Sequence, residues 1–461
     1  MFEAAAGLKH APATMVASVY EQKKQRLSAA LGGGGEGTVR LAKKTSNLFR
    51  DRTSTAARRL DVRAFNTVLG VDVARGEVDV EGMTSYSTLV EACLRHGVMP
   101  AVVPQLKSIT IGGAVAGCGI ESSSFRYGLV HETVREMEVL LGDGTTVLCT
   151  PTNEHRDLFH GIPNSYGTLG YVLRLKAKVI PVKPYVHLEH VRFREPDAYF
   201  AALERTCDDT GVDFVDGVVF GREEMILTVG RFTEQAPYTS DYTFERIYYR
   251  SLRERTEDYL TTSDYLWRWD TDWFWCSKNL LAQHPLIRRL YGRDHLNSVT
   301  YTRLMRWNSR WGVTRLIERL RGLHSESVIQ DVEIPIAHAA EFLDFYHDTI
   351  RFLPVWICPT RAYDPRARFS LYPMDPRTLY INFGFWDVIR DRERHPPGFY
   401  NRKVEEKVMA LGGMKSLYSD SYFTPQEFWR LYSKSAYDAL RKRYDPRGVF
   451  KDLYQKCVLR E

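Results

Sequence analysis

Along much of the chain apolar and polar residues alternate with period two, and over fewer stretches they recur with a helical period, so the pattern predicts short strands interleaved with helices. Val68 to Gly82 (VLGVDVARGEVDVEG) reads as a β-hairpin around an Ala-Arg-Gly turn, and VREMEVLLGDGTTVLCT as a second whose strands meet at Asp143-Gly144. NSYGTLGYVLRLKAKVIP predicts a glycine-bearing turn feeding a long alternating strand. HLEHVRF, DFVDGVVFG, MILTVGRF, VIQDVEIPIA and RTLYINFGFW predict further strands. Helices are expected at Ser18 to Leu31, broken by GGGGEGT, at Thr84 to Arg95 with Gly97 as the stop, and at Ala198 to Thr206. FTPQEFWRLYSKSAYDALRKRYDPRGVF predicts one helix, entered through Thr424-Pro425 and ended at Asp445 to Gly448. No regular βαβ succession appears, so the expectation is an α+β fold.

With 461 residues, 44% of them hydrophobic, the chain exceeds one ordinary core; two domains are expected, with a boundary at Pro181 to Pro184. No run of about 18 uncharged apolar residues appears, and the N-terminus lacks the features of a secretory signal, which predicts a cytoplasmic protein. Seven cysteines without a CxxC pair argue against a disulfide framework, and 13 histidines without HExxH or HxH spacing argue against a metal. The net charge of +6 gathers in the middle of the chain, where it steers an anionic lipid or phosphorylated cofactor, or is a solvated face; no motif for nucleic acid accompanies it.

The densest chemical signal is PAVVPQLKSITIGGAVAGCGIESSSFRYG, Pro100 to Gly128. Gly112, Gly113, Gly117 and Gly119 leave room for a ligand, and Ser108, Thr110, Ser122, Ser123 and Ser124 offer hydroxyls, as a phosphate loop would; tight turns in a β-rich core are the alternative. A dinucleotide fingerprint is absent, since GCGIES departs from GxGxxG at its last position. Upstream, RLAKKTSNLFR sets Arg40, Lys43, Thr45, Ser46 and Asn47 directly after a strand, where a diphosphate could be held.

These residues resemble the FAD-binding PCMH-type flavoproteins related to vanillyl-alcohol oxidase. PxLxxxTIGGxxxGxGIESSSxxYG, LxDGTxVxCTPxxxxxDLFxxxPxSxGTLG, QDVEIPI, VWICP and YSDSYFTPQEFW, spread over residues 100 to 460, resemble the Δ24-sterol reductase branch, and RLAKKTSNLFR is similar to its bacterial methylene-fatty-acyl reductases. The resemblance implies a two-subdomain FAD-binding domain at 1–182, an α+β substrate (cap) domain at 183–435 and a return to the first domain at 436–461. It implies FAD held by Arg40 to Asn47, Thr110 and Ile111 to Gly113 at the pyrophosphate. Gly117, Gly119, Ile120, Glu121 and Ser122 would line the flavin, and Gly167, Thr168, Gly170 and Val172 the adenine or ribityl side. No histidine lies between His10 and His96, so FAD is expected to be noncovalent. The implied reaction reduces an isolated C=C bond of a lipid with NAD(P)H as donor, a methylene-branched acyl chain first, a sterol side chain or the alcohol and sugar oxidases as alternatives. A lipid substrate and peripheral membrane contact are the expected partners.

Such a reduction needs hydride at one carbon and a proton at the other. Glu121 is the carboxyl nearest in sequence to the glycines, and is either that acid or an acceptor for backbone N–H groups. Tyr418 and Tyr422 in YSDSYF, with Asp420 between them, are acids or cavity wall, and His131 is a further candidate. Trp267, Trp269, Trp273 and Trp275 fit neither a helix stripe nor an unbroken strand, and form an apolar mouth or interdomain core.

Overall fold

The computed structural model describes residues 13–33, 37–43, 49–50, 57–311 and 322–460, with backbone alone at 13–17 and 306–311. A helix, Ala13–Gly32, leads into β1 (Val39–Ala42), which pairs in parallel with β2 (Arg58–Asp61). The first large sheet has six strands: β3 (Val68–Asp72), β4 (Glu77–Glu81), β5 (Val98–Pro100), β6 (Val134–Leu140), β7 (Thr146–Cys149) and β8 (Tyr171–Pro181). Its order is β3-β4-β8-β6-β7, with β5 also pairing β8, so the long strand is central. The reason is visible in its residues. Tyr171, Leu173, Leu175, Ala177 and Val179 are buried on one face, while Arg174 and Lys176 on the other meet Asp79 of β4 (Nε to Oδ1 2.7 Å) and Glu136 of β6 (2.8 Å). Both predicted hairpins form, and Gly144 takes the left-handed turn conformation (φ 89°) that the tight second one demands.

The second sheet is antiparallel with eight strands: β9 (Tyr185–Phe193), β10 (Phe214–Gly221), β11 (Glu224–Thr233), β12 (Glu257–Thr261), β13 (His324–Pro335), β14 (Val355–Thr360), β15 (Tyr380–Asp391) and the short β16 (Met414–Lys415). They run β12-β9-β11-β10-β14-β15-β13-β16. Helices Pro196–Asp208, Ala339–Thr349 and Phe399–Ala410 cover one face, burying Leu203, Phe342 and Val408 against Val332, Ile357 and Phe383. The opposite face belongs to a larger core shared with the first sheet, in which Val80, Ile111 and Leu175 cluster with Val218, Ile226 and Trp356. That leaves one end of β13 and β15 facing the glycine segment. The architecture is α+β.

At the C-terminal end the expected single helix is two, Pro425–Leu431 and Lys434–Tyr444. The helix is entered through Thr424-Pro425 as expected, and Thr424 and Glu427 cap it reciprocally. The break follows because the Tyr432 hydroxyl is tied to the Lys415 carbonyl (2.8 Å) and Ser433 adopts a left-handed backbone (φ 51°), which redirects the chain. The second helix returns to the first sheet's side, where Arg443 and Tyr444 bind Asp157 (3.0 and 2.6 Å) and the Val39 N–H donates to the Val449 carbonyl (3.0 Å).

Candidate active site

Between the glycine segment and the second sheet lies a cavity of about 1340 Å³. Ordinary small-molecule pockets span roughly 300–1,000 Å³, so this one has room for a large cofactor and a substrate together. The ends of β4 and β8 contribute Gly82, Met83, Gly170 and Val172; β13 and β15 contribute Ile329, Asp331, Glu333 and Trp386.

Most of the sequence-derived site residues meet here. Arg40, Lys43, Thr110, Gly112, Gly113, Gly117, Gly119, Ile120, Glu121, Gly167, Gly170, Val172, Tyr418 and Tyr422 all line the cavity. Three do not. Ile111 is buried in the core, with its N–H donating to the Thr84 carbonyl (3.0 Å); Ser122 shares a hydrogen bond with the Tyr265 hydroxyl (2.9 Å); and Thr168 donates to the Ser165 carbonyl (2.8 Å). Their hydroxyls and side chain face the scaffold rather than the cavity. Thr45, Ser46 and Asn47 lie outside the described residues. His131 packs edge-on against Phe369 (ring centroids 4.3 Å) away from the lining.

The glycines serve the scaffold as well as the cavity. Ile111–Ala116 is a short helix, and a Cβ at Gly112 would sit 2.7 Å from the Gly82 carbonyl oxygen, while one at Gly82 would sit 2.1 Å from that of Val172. The helix therefore packs backbone to backbone on the ends of β4 and β8. Gly82, which the motif search passed over, is as constrained as any residue inside it.

Glu121 is 3% exposed, and its carboxylate accepts from Gln105, from Ser122 Oγ (2.6 Å) and from Arg268 Nη2 (3.2 Å). The same guanidinium nitrogen reaches Asp216 Oδ2 at 2.8 Å, and the Arg268 guanidinium stacks on the Tyr265 ring at 3.9 Å. Burial, with Asp216 beside it, raises the proton affinity of Glu121 above the usual carboxylate range, and Arg268 offsets part of that rise. A permanent cation is thus built into this wall.

On the opposite wall, among the described residues, the buried carboxyls have no such cation beside them. Along β13, Val328, Val332 and Ile334 point into the second core, so strand alternation turns Ile329, Asp331 and Glu333 toward the cavity. Asp331 Oδ1 accepts from Asn382 Nδ2 (3.0 Å), and the Tyr418 hydroxyl and Trp386 indole interact with the same carboxyl; Trp386 Nε1 also donates to Tyr418 Oη (2.7 Å). Glu333 accepts from the Tyr372 hydroxyl. Neither has a cationic partner among the described residues. Burial pushes Asp331 up to about 7, against the pull of its neutral donors. It pushes Glu333 up to about 8, with Asp331 adding to the shift. Both carboxyls therefore titrate in the neutral range, Glu333 above Asp331. They were missed in the sequence, although QDVEIPI carries the signal: two carboxylates at i and i+2 inside an apolar strand.

Five non-glycine lining residues have left-handed backbone: Cys118 (φ 55°), Tyr166 (50°), Trp273 (46°), Phe274 (48°) and Arg460 (62°). Such conformations are costly for bulky residues and gather where a site imposes them. Trp273, Phe274 and Trp275 are consecutive in this state, which explains why the tryptophan spacing matched no regular element. Trp269 and Trp275 are core, Trp269 stacking on Phe274 (5.0 Å, 12°), whereas Trp273 and Phe274 form wall.

Residues 36–150 match the family of FAD binding domains. Over 404 residues the chain is 28% identical to Delta(24)-sterol reductase of Mus musculus, covering 84% of this chain and 75% of that one. With Delta(24)-sterol reductase of Arabidopsis thaliana it shares 24% identity over 433 residues, 86% and 76% of the two chains. A shorter likeness, 26% over 171 residues, links it to cytokinin dehydrogenase 9 of Oryza sativa subsp. japonica, covering 35% of this chain and 32% of that one. The chain is an FAD-dependent oxidoreductase. The reductases among its relatives support the class acting on CH–CH groups.

The cavity fits FAD. Arg50 and Gln105, both buried in its lining, keep Nη2 and Oε1 without a hydrogen-bond partner among the described residues. One donor and one acceptor match the pyrimidine edge of a flavin, which presents carbonyl oxygens and an N–H. Arg40, Lys43 and Lys456 add positive charge for a diphosphate. Among the described residues no helix is long and apolar enough to cross a membrane.

Proposed function

We propose that this flavoprotein reduces an isolated C=C bond in a lipid, drawing electrons from NAD(P)H through noncovalently held FAD. The observation that carries the reading is the uncompensated carboxyl pair Asp331 and Glu333 beside Tyr418, in the same cavity as the glycine segment. An alkene has no carbonyl to stabilise charge, so its reduction requires a proton source that is still protonated at neutral pH. Asp331, held by Asn382 and in contact with Tyr418, is the proton donor in this reading, and Glu333, whose own proton affinity Asp331 raises, is the second acid of the pair. Glu121 holds Arg268 and shapes the opposite wall. FAD, when bound, supplies the hydride. Arg40, Lys43, Thr110, Gly113 and Gly117 would hold it, with Arg50 and Gln105 at the pyrimidine edge. Trp273, Phe274 and Trp386 keep water from the alkene and give it an apolar bed.

The substrate we favour is a methylene-branched fatty acyl chain, on the likeness of RLAKKTSNLFR to methylene-fatty-acyl reductases. A sterol side chain is the second reading, favoured by the relatives over most of the chain. A cytoplasmic enzyme working at a membrane surface is consistent with either. The test is anaerobic stopped-flow: NADPH should bleach the flavin, and a methylene-acyl phospholipid, but not desmosterol, should restore its absorbance. Restoration by desmosterol alone transfers the assignment to sterols. Failure of every alkene lipid to reoxidise the flavin, or turnover with an alcohol and oxygen without NAD(P)H, ends it.

A further inference from the structure

The three most exposed large apolar side chains among the described residues lie together in one short segment: Leu281 at 64%, Leu286 at 66% and Leu290 at 86%. Leu286 and Leu290 sit one turn apart on the helix Pro285–Tyr291, and Val299 follows on the helix Ser298–Trp311. Leu281 has a left-handed backbone (φ 57°), a conformation that costs energy and still leaves the side chain in water. The inner side of the same segment is cavity wall: Asn279, Leu280, Thr302 and Met305 line the space described above. One thin layer of chain therefore separates the cavity from the exposed leucines.

Charge surrounds the patch. Arg289 and Arg293 are 67% and 60% exposed, and their partners Glu245 (3.4 Å) and Asp241 (3.0 Å) are equally solvated, so these pairs exchange readily for other anions. On the helix Ser298–Trp311, Arg303 adds an exposed cation. Exposed leucines flanked by arginine, against the wall of a lipid-sized cavity, have the chemistry of an interfacial contact.

We propose that Leu281, Leu286 and Leu290, with Arg289 and Arg293, dock this protein onto an anionic lipid surface, so that a membrane lipid enters the cavity past Leu280 and Met305. The proposal rests on the lipid substrate assigned above. Its test is separable: FAD-loaded enzyme is sedimented with sucrose-loaded vesicles of phosphatidylcholine, with and without phosphatidylglycerol, without turnover. Wild type should pellet with the anionic vesicles. Leu286→Ser with Leu290→Ser should lower partitioning about a hundredfold while the flavin spectrum is kept, since each buried leucine is worth about tenfold. Arg289→Gln with Arg293→Gln should lower binding to anionic vesicles about fivefold per charge and remove their advantage over neutral ones. Wild type remaining in the supernatant, or the leucine variant pelleting equally, overturns the proposal. So does sedimentation velocity without vesicles showing that the leucine variant dissociates a dimer, which would make a second copy the occupant. Reoxidation by a detergent-dispersed alkene tests the reaction without vesicles, so either idea can fail alone.

Discussion

Two walls of one cavity bury carboxyl groups, and they treat them in opposite ways. On the glycine side Glu121 and Asp216 share Arg268, which cannot give up its charge. On the β13 side Asp331 and Glu333 have amide, indole and hydroxyl donors only. The difference teaches that a buried carboxyl near a cofactor is not by itself an acid. What decides is whether a cation stands within bonding distance. With one, the carboxyl is tied into the frame; without one, its proton affinity climbs unopposed into the range that a reaction at neutral pH can use.

Removing the proton from the second wall should have the largest effect. General acids contribute about 10²–10⁴-fold, so Asp331→Asn is expected to slow alkene-dependent flavin reoxidation by that order, with bleaching by NADPH unchanged. Glu333→Gln should cost less, because Asp331 and not Glu333 is the donor in contact with Tyr418. Single-turnover stopped-flow reads both half-reactions. If Asp331→Asn slows reoxidation less than threefold, the two walls do not differ as argued and Tyr418 becomes the better donor.

Breaking the cation of the first wall should be felt in stability. Arg268→Met leaves Glu121 and Asp216 buried without a counter-charge, and such losses cost about 3–5 kcal/mol. A thermal melt of the FAD-loaded protein should fall sharply, whereas Asp331→Asn, which strands no buried counter-charge, should move it far less. Equal melting shifts for the two variants would erase the contrast.

The fold was legible where side-chain alternation is local. The alternating Tyr171–Pro181 stretch announces a central strand because its outward Arg174 and Lys176 find cross-strand partners and its inward residues a core. The break at Ser433 was not, because its cause is a hydroxyl reaching Lys415, 17 residues upstream. Much of the cavity lining was legible from glycines and motif order. The chemistry inside it was not: the partner of Glu121 lies 147 residues away, and no spacing rule joins Arg268 to it. Asp331 and Glu333 were within reach, since paired carboxylates on an apolar strand need an explanation that solvent cannot give.

The walls should also separate by pH. Asp331 and Glu333 have folded-state values raised to about 7 and about 8, so the protonated forms are favoured by folding, and the stability they confer is complete below the usual carboxylate range and lost as pH rises through those values. Reoxidation should follow the same direction, level in acid and falling about tenfold per unit once pH exceeds the range 7–8. In Asp331→Asn the remaining slow rate should lose that limb. A wild-type profile that rises through pH 7–8 would assign the group as a base and reverse the reading of β13.

The smallest effect is expected at the residue nearest the glycines. Glu121→Gln keeps the shape of the side chain and, with Asp216 still beside Arg268, keeps one counter-charge. The amide must accept from Gln105, Ser122 and Arg268 through a single oxygen, so one donor loses its partner at a cost of about 1–3 kcal/mol. Reoxidation by the alkene should change less than about threefold, far below the loss of a general acid. A hundredfold loss confined to reoxidation, with the flavin spectrum and melt intact, would make Glu121 the acid despite its arginine. The cation would then have to leave in the substrate complex, and a cation at bonding distance would no longer separate frame from chemistry.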